Sequence, residues 1–275
     1  MSTRVELAIT DSVARVSFVT ENGVHVFSRE TRAELARVLD ELESSSAATR
    51  TLGASGSLSS QDLHAIVFQS EGRTFVAGAD IRELAALDAT TGEQVAREGQ
   101  ELMMRIERLR PVTLCAIHAA CAGGGCELAL ACDMRIAAVS ARIGLPEVSL
   151  GLLPGWGGTV RATRLFGGAV ARRMILTGEL FWAEEALSLG IVDAVEPDDR
   201  FRAAVDERLD MILARGPHAQ RTVKGLIREL EGADDDHAFA REAELFGACC
   251  ADAQSTEGTA AFLEKRKPVW TGQGE

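Results

Sequence analysis

Along the chain, apolar positions change period in a way that marks strands and helices in alternation. Residues 5–9 and the run Ala14-Arg15-Val16-Ser17-Phe18-Val19 are rich in β-formers, with Asp11-Ser12 between them, and predict a hairpin. Over 29–43 the spacing switches: Leu35, Val38, Leu39 and Leu42 recur at i, i+3, i+4 and i+7, the stripe of an amphipathic helix. From Ser44-Ser45-Ser46 to about residue 62 the chain is rich in Ser, Gly, Ala and Thr without periodicity, and reads as a surface insertion. His64–Gln69 is a short buried strand, with a turn at Ser70-Glu71-Gly72-Arg73. Residues 91–109 return to the helical stripe through Val95, Leu102, Met103, Ile106 and Leu109.

Val112–Ile117 is an apolar strand that runs into Gly123-Gly124-Gly125, and further strands are expected near 134–138 and 191–195. From about residue 200 the pattern is helical to near Lys267-Pro268. Strands alternating with helices predict an α/β protein with helices on the faces of its sheet. We divide it into a core over 1–200 and a C-terminal helical region over 201–275.

Composition narrows the class. The chain has 275 residues, 46% hydrophobic and 25% charged, which is ordinary for a soluble globular protein and excludes wholesale disorder or a coiled coil. No apolar run approaches the roughly 18–20 residues of a membrane span. Met1-Ser2-Thr3-Arg4-Val5-Glu6 lacks the apolar core of a secretory signal, so a cytoplasmic location is expected. The net charge of −12 argues against nucleic acid as a partner. Four of the six cysteines (Cys115, Cys121, Cys126, Cys132) lie in apolar surroundings without a C-x-x-C pair and read as small buried hydrophobes. The histidines are scattered, so no metal site is expected.

Three glycine-containing stretches carry the candidate chemistry: Phe75-Val76-Ala77-Gly78-Ala79-Asp80, Ala122-Gly123-Gly124-Gly125-Cys126-Glu127 and Pro154-Gly155-Trp156-Gly157-Gly158-Thr159. None is followed by Gly-Lys-Ser/Thr, and none completes G-x-G-x-x-G after a strand, which excludes a P-loop and argues against a dinucleotide site. The second stretch reads as a strand-to-helix turn whose free N–H groups would face an anion, as in an oxyanion hole. Glu127 and Glu147 sit in apolar company. Desolvation there raises a carboxyl pKa toward neutrality and suits it to acid–base work; the alternative is that each caps a helix N-terminus.

These stretches, with Gly144-Leu145-Pro146-Glu147, Gly151-Leu152-Leu153-Pro154, Thr177-Gly178, Ala183-Glu184-Glu185-Ala186 and Ala260-Ala261-Phe262-Leu263-Glu264-Lys265-Arg266-Lys267, resemble the crotonase (enoyl-CoA hydratase/isomerase) superfamily over nearly the whole chain. The central loops are most similar to the hydratase part of multifunctional fatty-acid oxidation proteins. The resemblance implies a spiral of ββα units with a C-terminal helical trimerisation region, assembled as a homotrimer or dimer of trimers. The substrate it implies is an acyl-CoA thioester, with coenzyme A as part of the substrate and no further cofactor.

By that resemblance the N–H groups of Ala77 and Gly124 form the oxyanion hole, Glu127 activates water and Glu147 protonates carbon. Phe75, Ala79, Asp80, Gly123, Pro146, Gly155, Trp156 and Lys265 are the implied substrate-binding positions. Asp80 also fits a helix cap, which we favour, and Trp156 either shapes the acyl pocket or packs beneath its turn. The function expected is hydration of a 2-enoyl-CoA thioester. The alternatives are a Δ3-Δ2-enoyl-CoA isomerase, which needs only one carboxylate, another acyl-CoA enzyme of the superfamily, and a non-catalytic binding subunit.

Two features depart from the family pattern: Val24-His25-Val26-Phe27-Ser28 replaces an Asn-Ala-Leu-like segment, and the insertion at 44–62 is long. Only three of the 29 basic residues are lysines (Lys224, Lys265, Lys267), and all lie in helices that the family places near the coenzyme's phosphates.

Overall fold

The structure, a computed structural model, describes residues 3–47 and 63–270. Two sheets share the strands. The larger runs β1 (Arg4–Thr10), β2 (Val13–Val19), β3 (Ala65–Ser70), β5 (Val112–Ile117), β7 (Met134–Ala138), β10 (Ala194–Glu196) in spatial order. The smaller runs β4 (Thr74–Val76), β6 (Ala120–Ala122), β8 (Arg142–Gly144), β9 (Leu180–Trp182). The first pair is the expected hairpin, antiparallel with Arg4 opposite Val19, its turn closed by Asp11 at φ 52°. Every later pairing in the large sheet is parallel.

Successive strands go alternately to the two sheets. Thus β3 and β4, β5 and β6, β7 and β8 form three turns of a spiral, each followed by helix: α2 (Ile81–Leu84) and α3 (Ala89–Arg108), then α4 (Gly124–Ala131), then α5 (Gly158–Thr177); α6 (Ala183–Ser188) follows β9. This is the ββα spiral that the resemblance implies.

The period of two along each strand sorts side chains to two cores. Val16, Phe18, Ile66, Phe68, Cys115 and Ile117 face one core, which is covered by α1 (Arg29–Ala47), α3 and α4. Ala65, Val67, Leu114, Ala116 and Ile136 face the other, covered by Phe201, Val205, Leu209 and Ile212 of α7 (Phe201–Leu213). Strand β5 is buried at all six positions, as a strand sandwiched between helical layers must be.

Ser44-Ser45-Ser46 continue α1 to Ala47, while the remainder of the expected insertion lies outside the described residues. The strand expected at 191–195 is β10, which begins only at Ala194. The first helix past residue 200 belongs to the sheet's second face, so a separate helical region begins with α8 (Pro217–Glu229). Two further helices follow, α9 (Asp235–Cys250) and α10 (Ala253–Leu263), so helix ends before Lys267. Cys115, Cys121, Cys126 and Cys132 are free thiols buried as expected. Among the described residues no helix is long and apolar enough to cross a membrane.

Close approach of α4 to the small sheet depends on bare backbone. A methyl group on Gly125 would overlap Val76 O and lie 2.7 Å from Val76 Cβ, whereas one on Gly92 in α3 would meet nothing within 4 Å. We expect Gly125→Ala to lower the unfolding free energy by about 1–3 kcal/mol through overpacking. Gly92→Ala should raise it by about 0.4–1 kcal/mol by restricting the unfolded chain. Denaturant titration of the two variants beside the parent checks both signs.

Candidate active site

The site forms where β4, β6 and β8 end and the turns after them converge. After β6 the chain turns through Gly123 at φ 52° into α4, and no side chain caps that helix. Its first-turn N–H groups have no intrahelical acceptor, and all eight of its residues are buried. The Gly124 N–H is thus an uncommitted donor at the positive end of a helix dipole.

The second donor is not the expected one. The Ala77 N–H donates to His25 O at 2.8 Å and is consumed in pairing with the 25–27 segment. At Gly78, with φ 114°, the register slips. Phe27 then donates to Gly78 O at 2.8 Å and accepts from the Asp80 N–H at 3.2 Å, straddling Ala79. Residues straddled in this way turn their own N–H to the opposite side, so Ala79 carries the outward amide. Gly78 keeps this turn close to Gly123: a Cβ on Gly78 would lie 3.4 Å from Ala122 O, and one on Gly123 would lie 3.6 Å from Gly78 Cα.

Glu127, one turn into α4, is 2% exposed and its Oε1 accepts from the Trp156 N–H at 2.7 Å and the Gly158 N–H at 2.8 Å. It therefore caps a helix, though not its own: Gly158 opens α5. Burial first, then the neighbouring Glu147, push its pKa up to about 7; the two amides and Arg161 pull the other way. Glu147 opens a short 3-10 turn, Glu147–Leu150, beside Gly123: a Cβ on Gly123 would lie 3.3 Å from Glu147 Oε1. Its Oε2 is buried without a hydrogen-bond partner, and burial raises its pKa to about 7 as well. Two carboxyl groups whose proton affinity is raised thus meet at one glycine turn.

The loop that grips Glu127 has its own support, which sequence reasoning missed. Arg161, 8% exposed, donates through Nη1 to Trp156 O at 3.1 Å and through Nη2 to Glu107 Oε2 at 2.7 Å. Nothing in the sequence links Glu107, near the end of α3, to that turn. Gln100 adds a hydrogen bond from Nε2 to Gly155 O at 2.9 Å.

Other expected positions separate. Pro146 precedes Glu147 as the cap of the 3-10 turn. Asp80 is the cap of α2, its carboxylate accepting from the Arg82 N–H at 2.8 Å. Phe75 is fully buried in the core, edge-on to Phe18, and does not line the site. Trp156 is buried beneath the Gly124 turn. Lys224 is committed elsewhere, 2.7 Å from Asp133 Oδ2 and donating to Pro111 O at 2.9 Å, so it is a brace for the end of β5 and not an exposed phosphate ligand. Lys265, at φ 56° just past α10, and Lys267 are exposed, while Arg266 between them is held by Glu257 and Glu264.

This geometry meets the known proteins over its whole length. The chain is 34% identical over 264 residues to a short-chain-enoyl-CoA hydratase of Clostridium acetobutylicum, covering 94% of this chain and 95% of that one. It is 39% identical over 202 residues to a crotonyl-CoA hydratase of Syntrophomonas wolfei, covering 74% and 78%. The crystal structure of an enoyl-CoA hydratase from Bacillus anthracis superposes with a TM-score of 0.86 at 29% identity, covering 98% of this chain and 99% of that one. Residues 8–273 match the enoyl-CoA hydratase/isomerase family, and the chain belongs to that family.

Proposed function

We propose that the protein is an enoyl-CoA hydratase in which Glu127 and Glu147 add water across the double bond of a 2-enoyl-CoA thioester. The single observation that carries this reading is the pair of glutamates at the Gly123-Gly124 turn, Glu127 buried and Glu147 half-buried with its Oε2 shut from solvent, each with a pKa raised to about 7. An isomerase needs one such group; a hydration needs two, one to take a proton from water and one to deliver a proton to carbon.

The thioester carbonyl oxygen gains enolate charge as water attacks the β-carbon. The N–H groups of Gly124 and Ala79 are the donors suited to receive it, and one such donor contributes roughly 3–4 kcal/mol in other enzymes. Glu127, fixed by two amides through one oxygen, has its other oxygen for orienting water and taking its proton. Glu147 Oε2, buried and without a partner, is suited to holding the proton that goes to the α-carbon. Attack and protonation from the same glutamate-lined side give syn addition, and each positioned group contributes roughly 10²–10⁴-fold.

Self-association accompanies this reading, as a homotrimer or dimer of trimers. Ile227, Phe246 and Phe262, on α8, α9 and α10, are 64%, 71% and 83% exposed, an apolar surface that a lone chain would present to water. Coenzyme A phosphates fall to Lys265 and Lys267, the exposed lysines of the C-terminal segment.

Three outcomes test the proposal. Incubation with crotonyl-CoA should bleach the conjugated absorbance, and Glu127→Gln or Glu147→Gln should each lower kcat by roughly 10²–10⁴-fold with acyl-CoA binding retained. Near-parental rates in both variants would refute the assignment.

The pH profile of kcat/KM should be a bell. Below about 7 the base Glu127 takes up a proton and the rate falls; above about 7 Glu147 loses the proton it must deliver, and the rate falls again. Because the two carboxyls share a site, the limbs report apparent constants of the pair. A sigmoid with one limb speaks against the two-carboxylate mechanism.

Finally, replacing Lys265 and Lys267 together by Ala should raise KM for the thioester roughly tenfold, the loss of a charge-assisted contact, with kcat at saturation preserved. An unchanged KM in steady-state kinetics removes both lysines from the coenzyme site.

A further inference from the structure

Behind the Gly124 amide the space between α1, α3 and α4 is filled by one flat side chain. The Trp156 indole lies between two glycines on different helices. A methyl on Gly124 would come within 2.6 Å of Trp156 Cζ3, and one on Gly99 of α3 would overlap the ring. The ring is clamped on its remaining sides. Phe27 meets it edge-on with centroids 5.4 Å apart, and the buried Arg32 guanidinium stands 5.8 Å over it, paired with Glu83 at 3.2 Å. A T-shaped aromatic contact and a cation on its face thus favour the ring in this position.

The position of this ring matters because of where the reacting carbons must lie. This step rests on the reading given above, in which the thioester oxygen meets the amides of Gly124 and Ala79 and the β-carbon lies within reach of Glu127 and Glu147. Ala77, next to the oxyanion turn, is exposed, so the bulky coenzyme leaves on that side. Carbons beyond the β-carbon run the other way, inward past Glu127. The Glu127 carboxylate is surrounded by the Trp156-Gly157-Gly158 backbone and by Pro154 packed on Gly158, and the indole borne by that same backbone lies against Gly124. Without the indole, the gap between Gly99 and Gly124 is a slot with bare backbone on two sides and Phe27 on a third. With it, the slot is closed and Trp156 is 5% exposed.

We propose that the Trp156 indole is the end wall of the acyl pocket and restricts this enzyme to short 2-enoyl-CoA thioesters. The wall is closely packed and apolar, so a short alkyl tail gains contact with it, while each further methylene must displace the ring from those contacts.

The test is a series of trans-2-enoyl-CoA thioesters (crotonyl, hexenoyl, octenoyl, decenoyl) with the parent enzyme, Trp156→Phe and Trp156→Ala. For the parent, kcat/KM should fall by at least roughly tenfold from crotonyl to decenoyl. The ratio of decenoyl to crotonyl values should rise at least roughly tenfold in Trp156→Ala, with Trp156→Phe between the two. Using a ratio within each variant cancels any general loss from disturbing the loop that holds Glu127. Should the alanine variant not fold, the phenylalanine variant and the parental series decide. A parental kcat/KM independent of chain length, or a ratio unmoved in the variants, overturns this proposal alone. Silence of the parent toward every thioester, crotonyl-CoA included, overturns the catalytic reading and this proposal with it.

Discussion

A carboxylate cannot be taken out of water without donors to replace the water, and at Glu127 those donors are two backbone amides of a distant turn. This one interaction ties the first turn of α4 to the start of α5. It also dictates much of the surrounding structure. Gly157, at φ 103°, and Gly158 are required so that the turn can present two N–H groups to one oxygen, since a Cβ on Gly158 would sit 2.9 Å from Glu127 Cγ. Arg161 and Glu107 then hold that turn from behind. Only one carboxylate oxygen is satisfied this way, which leaves the group anchored and still basic. Full satisfaction would have driven its pKa below the ordinary carboxylate range, and no satisfaction would have made its burial prohibitive.

Glu147 shows the complementary condition. Its buried oxygen lacks a partner, so the neutral acid is the form the fold prefers. The proton affinities of the two groups converge for different reasons. Burial acts on both, but Glu127 also feels Glu147, and two amides and a guanidinium oppose the rise. The thiol of Cys126 is subject to similar forces: its hydrogen bond with Cys121, then burial, then the nearby charges including both glutamates drive its pKa well above the usual thiol range, and it stays protonated. A neutral, weakly polar thiol near the carboxyls adds no competing charge.

Much of this was legible in the sequence, for identifiable reasons. Periods of two and of three to four residues placed most strands and helices, because those periods are set by burial on one face. The glutamates were conspicuous because charge in an apolar run demands an explanation. What the sequence hid depends on contacts between segments far apart in the chain. Ala77 and Ala79 are equivalent as letters; which of them carries the outward amide is decided by where the 25–27 segment docks and by the slip at Gly78. Lys224 looked like a phosphate ligand because a lone lysine carries no record of its partner, and Asp133 is that partner. Phe75 belongs to a motif that touches the site, yet strand alternation turns its own ring into the core. For α7, a signal was present: a strand as apolar throughout as Val112–Ile117 needs cover on both faces, and the first helix after residue 200 supplies it.

The slip at Gly78 has an implication for how such a site is inherited. The two donors proposed to receive the thioester oxygen are main-chain groups, so no exchange of side chain short of proline removes them. Replacing Ala79 by most residues would leave the donor in place, and a scan by alanine would pass over it unnoticed. Only proline, which has no N–H, or a change that alters the phase of the ladder could erase it. The functional information at this position is therefore written in chain register and not in residue identity. A one-residue shift of the 25–27 segment against Ala77–Asp80 would be far more damaging there than most substitutions.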